Sequence, residues 1–336
     1  MSDKEKKDDI NRRDFIKKGL KMAGALSFTG LSAGLSGCYE FDDPIGGSSV
    51  WTGGTGGTGK GFAVGGKDTG VLTTTEKYSE SAGSWTVGTS MGTARSLLSS
   101  FSLGTDTGFA VGGSTPPNLS SVEKYSESAG SWTVGTSMGT ARSQLSSFSL
   151  GTDLGFAVGG SGYLTSMDKY SDSAGTWTVG TNIGTGRAEH SSFSLGTDLG
   201  FVIGGNYFAI ATTEKYSDSA GTWTVGTSMG TARRDHSSFS LGADTGFAVG
   251  GYYPGWFSSI EKYSDSAGTW TVGTSMGTAR AFHSSFSLGT DTGFAVGGNL
   301  NTVIFSATEV YNDITGTWTS SAYLNAIRYQ HSSFSL

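Results

Sequence analysis

From residue 61 to residue 336 one unit is written six times. Gly-Gly pairs stand at 65–66, 112–113, 159–160, 204–205, 250–251 and 297–298, and Trp recurs at 85, 132, 177, 223, 270 and 318. A Tyr lies seven residues before each Trp (Tyr78, Tyr125, Tyr170, Tyr216, Tyr263, Tyr311) and an Arg ten residues after it (Arg95, Arg142, Arg187, Arg233, Arg280, Arg328). A period of 45–48 residues is too short for a domain and too regular for a linker. It belongs to an architecture in which each unit buries its faces only against its neighbours.

The unit itself reads as four short strands, a to d in chain order. In the second unit, Ser99-Ser100-Phe101-Ser102-Leu103 alternates, and Gly108-Phe109-Ala110-Val111 is a compact apolar run that ends in Gly-Gly. Val122-Glu123-Lys124-Tyr125 and Ser131-Trp132-Thr133-Val134 complete the set. Gly-Thr-Asp-Thr-Gly and Ser-Glu-Ser-Ala-Gly punctuate them as turns, and no helical period appears. Glycine supplies 55 of 336 residues, about twice ordinary usage, yet without the triplet period of collagen. Aromatic residues at fixed spacing argue against disorder. The single cysteine, Cys38, excludes a disulfide framework.

The four markers, Gly-Gly, Tyr, Trp and Arg in this order, resemble the kelch repeat, and the resemblance covers 61–336. It implies an all-β, six-bladed β-propeller of four-stranded antiparallel blades. The repeat region opens on a strand b, Gly61-Phe62-Ala63-Val64, and its last segment, Ser332-Ser333-Phe334-Ser335-Leu336, is a strand a. The last strand is therefore expected to complete blade 1 and close the ring, which removes an open edge. Ser48-Ser49-Val50-Trp51 weakly resembles a strand a and competes for the same slot.

The first 37 residues are expected to be an export signal. Asn11-Arg12-Arg13-Asp14-Phe15-Ile16-Lys17 resembles a twin-arginine motif, with Arg12 and Arg13 as its pair. A weakly apolar stretch follows and ends in Leu35-Ser36-Gly37-Cys38, which resembles a bacterial lipobox. That resemblance implies a lipidated Cys38 as mature N-terminus, anchored to the cell envelope. Tyr39 after the cysteine, rather than Asp, implies outer-membrane sorting. Residues 38–60 read as the lipidated cysteine and a glycine-rich tether. Residues 1–37 hold 8 Lys and Arg against 5 Asp and Glu, so the remainder of a chain of net charge −6 carries −9. That balance argues against nucleic acid as a partner. The expected molecule is a monomeric propeller, held to a membrane by its lipid alone, with no cofactor and no metal.

Differences among the copies point to one face. Every length change falls between Gly-Gly and Tyr, in the b–c loop, and a second variable spot follows each Arg in the d–a segment. In an up-and-down blade these two regions share a face. Loops on a rigid scaffold carry recognition, although exposed loops also drift without selection. The loops of blades 3 to 6 and the d–a segments beside them hold Tyr163, Tyr207, Phe208, Tyr252, Tyr253, Trp256, Phe257, Phe282 and Tyr329. Exposed aromatics are interface anchors and stack on sugar rings, so a carbohydrate or protein ligand is expected there; the alternative is that several fold inward. The blade 5 loop, Tyr252 to Phe257, is the richest and the expected hot spot, with Phe282 beside it.

The repeated arginines leave two readings open. Six guanidinium groups could ring the channel mouth and take a carboxylate or phosphate, or each could support its blade by bonding turn carbonyls. His190, His236, His283 and His331 share one repeat position, where blades 2 and 3 have Leu98 and Leu145; one histidine per blade is poor metal geometry. Enzyme readings are weaker. Kelch oxidases of the galactose-oxidase type need a Tyr–Cys cross-link, and no second cysteine exists. Six-bladed periplasmic kelch proteins that interconvert sialic-acid anomers are the best enzyme alternative, with Glu189 and Asp235 as the only d–a carboxylates to serve it.

Overall fold

A computed structural model describes residues 59–336. The export motif, Cys38, the tether to residue 58 and the competing segment 48–51 lie outside the described residues.

Six four-stranded antiparallel sheets form the blades of a propeller. Blade 2 is typical: strand a Ser99–Leu103, b Thr107–Val111, c Val122–Ser126 and d Ser131–Val134, in that order from the axis. Strand a begins at Ser146 in blade 3, Ser191 in blade 4, Ser237 in blade 5 and Ser284 in blade 6. Blade 6 adds a small hairpin in its b–c loop, Asn299–Leu300 with Val303–Ile304. Blade 1 is built from both ends of the repeat region. Its strand b, Lys60–Val64, pairs with strand c on one side and with the C-terminal Ser332–Ser335 on the other, in the register Phe62 opposite Phe334. The ring is closed by the last strand, as the order of strands in the repeat predicts.

Strand composition follows position. Strand b has neighbouring blades on both faces, so it is a continuous buried apolar run, Phe109, Ala110 and Val111 in blade 2. Strand d is outermost and mostly exposed. Strand a places serines on the axis, where Ser99 and Ser147 hydroxyls meet at 2.7 Å and Ser192 donates to the Ser147 carbonyl at 3.0 Å.

Blades lock through one aromatic device. The strand a Phe101 stacks on Phe109 of its own blade, with ring centroids 4.7 Å apart. Phe101 also meets Trp177 of the next blade edge-on, and Phe109 meets Tyr170 there. The Phe101 ring lies directly on the strand b Gly155 of that blade, where a Cβ would sit 2.2 Å away. The same contact joins every pair of blades. Phe334 covers Gly108 across the closure, and Phe286 covers Gly61. Each Phe contributes about 2–3 kcal/mol by burial, and only glycine leaves room for it.

The c–d face is pinned as well. Lys124 reaches Asp172 of the next blade at 2.7 Å, and Lys169, Lys215 and Lys262 each reach the next acidic turn at 2.6 Å. The a–b turn Asp106 accepts from Ser126 Oγ at 2.9 Å and from the Ser128 N–H at 2.6 Å. These turns repeat because their side chains hold neighbouring elements together. Their constancy has a structural cause, so the contrast between the two faces is not by itself a mark of recognition. The chemistry of the variable face has to carry that argument.

Candidate functional site

The b–c loops and d–a segments do share a face, joined by short bridges such as Ser96 with Ser114 and Arg234 with Tyr252. Beneath each loop lies one of the repeated arginines, fully buried. Arg95 Nη1 donates to the carbonyls of Gly112 and Ser121 at 2.8 and 2.9 Å, the two roots of the blade 2 loop. Its Nη2 meets Glu123 at 2.9 Å. Arg142 pairs with Asp168, Arg187 with Glu214, Arg233 with Glu261, Arg280 with Glu309 and Arg328 with Glu76, all within 2.9 Å. Glu123 also takes the N–H groups of Gly92 and Thr93. Burial pulls Arg187 below the ordinary guanidinium range, and Glu214 opposes that shift. None of the six guanidinium groups rings the channel mouth, because each is spent on loop-root carbonyls and a buried carboxylate.

The mouth is built instead from the residue two places after each arginine. Leu97, Gln144, Glu189, Asp235, Phe282 and Gln330 all take left-handed backbone, with φ between 52° and 59°. Each donates its N–H to the carbonyl of its counterpart in the preceding blade: Gln144 to Leu97, Glu189 to Gln144, Asp235 to Glu189, Phe282 to Asp235, Gln330 to Phe282, and Leu97 to Gln330. Six bonds of 2.8–3.1 Å close a collar around the axis. Left-handed backbone is strained for such residues, and the bonded ring holds it. Sequence reasoning marked this spot as variable and missed the collar, since positive φ at Leu or Phe leaves no trace in residue type.

Two collar members carry charge. Glu189 accepts from Gln144 Nε2 at 2.8 Å and from Arg234 Nη1 at 2.7 Å. The Arg234 guanidinium lies 5.3 Å from both the Tyr207 and Tyr252 ring centroids, stacked between loops of adjacent blades. Arg234 was not a sequence candidate; as the extra arginine after the repeated Arg233, it was visible as a departure from the pattern. Asp235 is 8% exposed, and Arg234 Nε lies 3.8 Å from its carboxylate. Burial, and then the Glu189 charge, push its carboxyl well above the usual range, against the pull of Arg234. Together with leucines, Gln144, Phe282, Gln330 and the histidines, Glu189 and Asp235 line an axial cavity of about 90 Å³.

The aromatic candidates divide by exposure. Phe208 is 73%, Tyr207 61% and Tyr163 49% exposed. Tyr252, Tyr253, Trp256, Phe257, Phe282 and Tyr329 are half-buried. Trp256 packs edge-on against Tyr252 at 5.3 Å and donates to Asn301 of the blade 6 hairpin at 3.0 Å. Phe257 covers the Arg233 guanidinium, and Phe282 packs edge-on against Tyr329. The blade 5 loop is richest in aromatics, but the most exposed pair is Tyr207 and Phe208 of blade 4, whose rings meet at 5.0 Å.

The histidines sit just below the collar, 5% exposed each. His283 Nε2 lies 2.6 Å from Ser237 Oγ. Burial and the neighbouring guanidinium groups hold all four well below the usual imidazole range, His190 at about 3. No family model matches the chain, and no curated protein matches it in sequence.

The neutral histidines set an acid limit. A folded pKa below the unfolded value means the unfolded chain takes up protons first. Their stability is therefore fully present above pH ~6.5 and is lost as pH falls towards about 3 for His190. His190→Leu, which copies Leu98 and Leu145, is expected to cut the loss between pH 7 and 4.5 by about 2 kcal/mol, read from urea midpoints. Equal losses in variant and parent contradict this.

Proposed function

We propose that the chain is an exported, lipid-anchored propeller of the kelch type, whose b–c and d–a face binds a carbohydrate or protein ligand. The observation that carries the reading is the continuous patch from Phe208 and Tyr207, through Arg234, to Tyr252 and Trp256. It joins exposed rings to a guanidinium stacked between tyrosines. Rigid aromatics and arginine lose little freedom on binding and anchor interfaces; flat rings also stack on sugars. The kelch assignment rests on the four repeated markers, each of which has a structural role. The tyrosines and tryptophans fill the space between blades, and the arginines clamp the loops. Export and anchoring rest on the ordered motifs at Arg12-Arg13 and Cys38. With lipid on Cys38, about twenty residues rich in glycine separate the lipidated cysteine from the first propeller strand in the sequence.

A glycan and peptide binding screen on the soluble propeller tests the binding reading. Phe208→Ala is expected to weaken whatever ligand is found about tenfold or more, while Lys67→Ala on the blade 1 loop changes little. Equal effects of the two substitutions would show that the patch is not the binding surface. Anchoring is tested separately by fractionation of the producing cells. Cys38→Ala is expected to move the exported protein from the membrane pellet to the soluble fraction after a carbonate wash; retention in the pellet contradicts a lipid anchor.

A further inference from the structure

The collar position does not need an acid. Leu97, Gln144, Phe282 and Gln330 make the same left-handed turn and the same backbone bond. Asp235 stands among them with its side chain 4% exposed and lining the axial cavity, and no protein group places a hydrogen bond on its carboxyl among the described residues. Arg234 Nε stops at 3.8 Å, and that guanidinium is committed to Glu189 at 2.7 Å. The collar N–H groups are all used around the ring. Elsewhere in the wall Leu97, Leu98, Leu145 and Phe282 carry no side-chain donor, Gln144 is turned to Glu189, and Gln330 and the neutral histidines bring N–H groups but no positive charge. Two carboxyl groups against one guanidinium leave the cavity short of positive charge. The four histidines beneath supply none, being held neutral by burial. A buried carboxyl without a donor is unfavourable, and a cation removes the penalty.

We propose that the channel mouth binds a primary ammonium group on a slender carrier, with Asp235 and Glu189 as its acceptors and Phe282 as its apolar flank. The proposal deepens the binding reading by naming a ligand class for the axial pocket. An ammonium has three donors and matches a site rich in acceptors. Size agrees: strand-like bonds set collar neighbours roughly 5 Å apart, so the ring is about 10 Å across between backbones. That passes an alkyl chain or the amine edge of a small sugar. Phe282 adds a ring beside the charge, where cations are attracted.

The test is calorimetric titration of the full chain, in detergent, with n-hexylamine hydrochloride, hexan-1-ol and sodium hexanoate. Hexylammonium is expected to bind at least about tenfold more tightly than the alcohol, and hexanoate most weakly. Asp235→Asn keeps the shape and removes the buried acidic group. It is expected to hold or raise the melting temperature while the ammonium falls to the alcohol's affinity. Equal affinity of ammonium and alcohol for the parent chain overturns the proposal without any variant, and so does an ammonium preference that survives in Asp235→Asn. The glycan and peptide screen is independent. A chain that prefers hexylammonium but selects no glycan or peptide sinks the face reading alone, and the converse result sinks this proposal alone.

Discussion

A guanidinium with no water around it must find every hydrogen bond inside the protein, and that requirement organises each blade. Arg187 reaches the carbonyls of Gly204 and Thr212 and the carboxylate of Glu214. These are the first glycine after strand b, the residue before strand c, and the second residue of strand c. One side chain thus clamps both roots of the loop to the strand that follows. Its own carbonyl accepts from the second glycine of the preceding blade, Gly160, at 2.8 Å. Net stabilisation by a buried ion pair is modest, but removing one partner is costly, so the pair specifies geometry more than it adds stability. Loop length changes from blade to blade only between the clamped carbonyls. The loop is free to vary because its ends are not.

Around this clamp, three closed circuits make the frame rigid. Phenylalanines on glycines join the blades at mid-radius, serine hydroxyls join them along the axis, and the collar joins them at the mouth. The C-terminal strand enters all three, through Phe334 on Gly108, Ser332 with Ser100, and the Leu97–Gln330 bond just before it. A frame closed in this way presents variable side chains at fixed positions. Pre-ordered anchors lose less entropy on binding than mobile ones.

The fold was legible because its period is written in residues with one physical job each. Gly108 and its equivalents must be glycine under a phenyl ring, and Trp132 and Tyr125 must fill the wedge between blades. Six repeats of such constraints survive any local ambiguity. The site was legible only in outline. Loop composition located the face and its aromatics, but not which rings stand free. Trp256 is half-buried because Asn301, on the next blade, accepts its N–H; no pattern within one loop carries that. The arginines left two readings open because a buried and an exposed ring of charges have the same period. Their carboxylate partners were in the sequence, two residues before each repeated tyrosine, at Glu76, Glu123, Asp168, Glu214, Glu261 and Glu309. Pairing an acid and a base of equal period was the available signal.

The clamp can be tested in one blade by urea unfolding of Glu214→Gln beside Arg187→Met. The first leaves a buried guanidinium without its counter-charge, and the second leaves a buried carboxylate and two loop-root carbonyls without their donor. Each is expected to lose roughly 3–5 kcal/mol of stability relative to the parent. Midpoints that stay within about 0.5 kcal/mol of the parent for either variant would show that the loops do not depend on the pair.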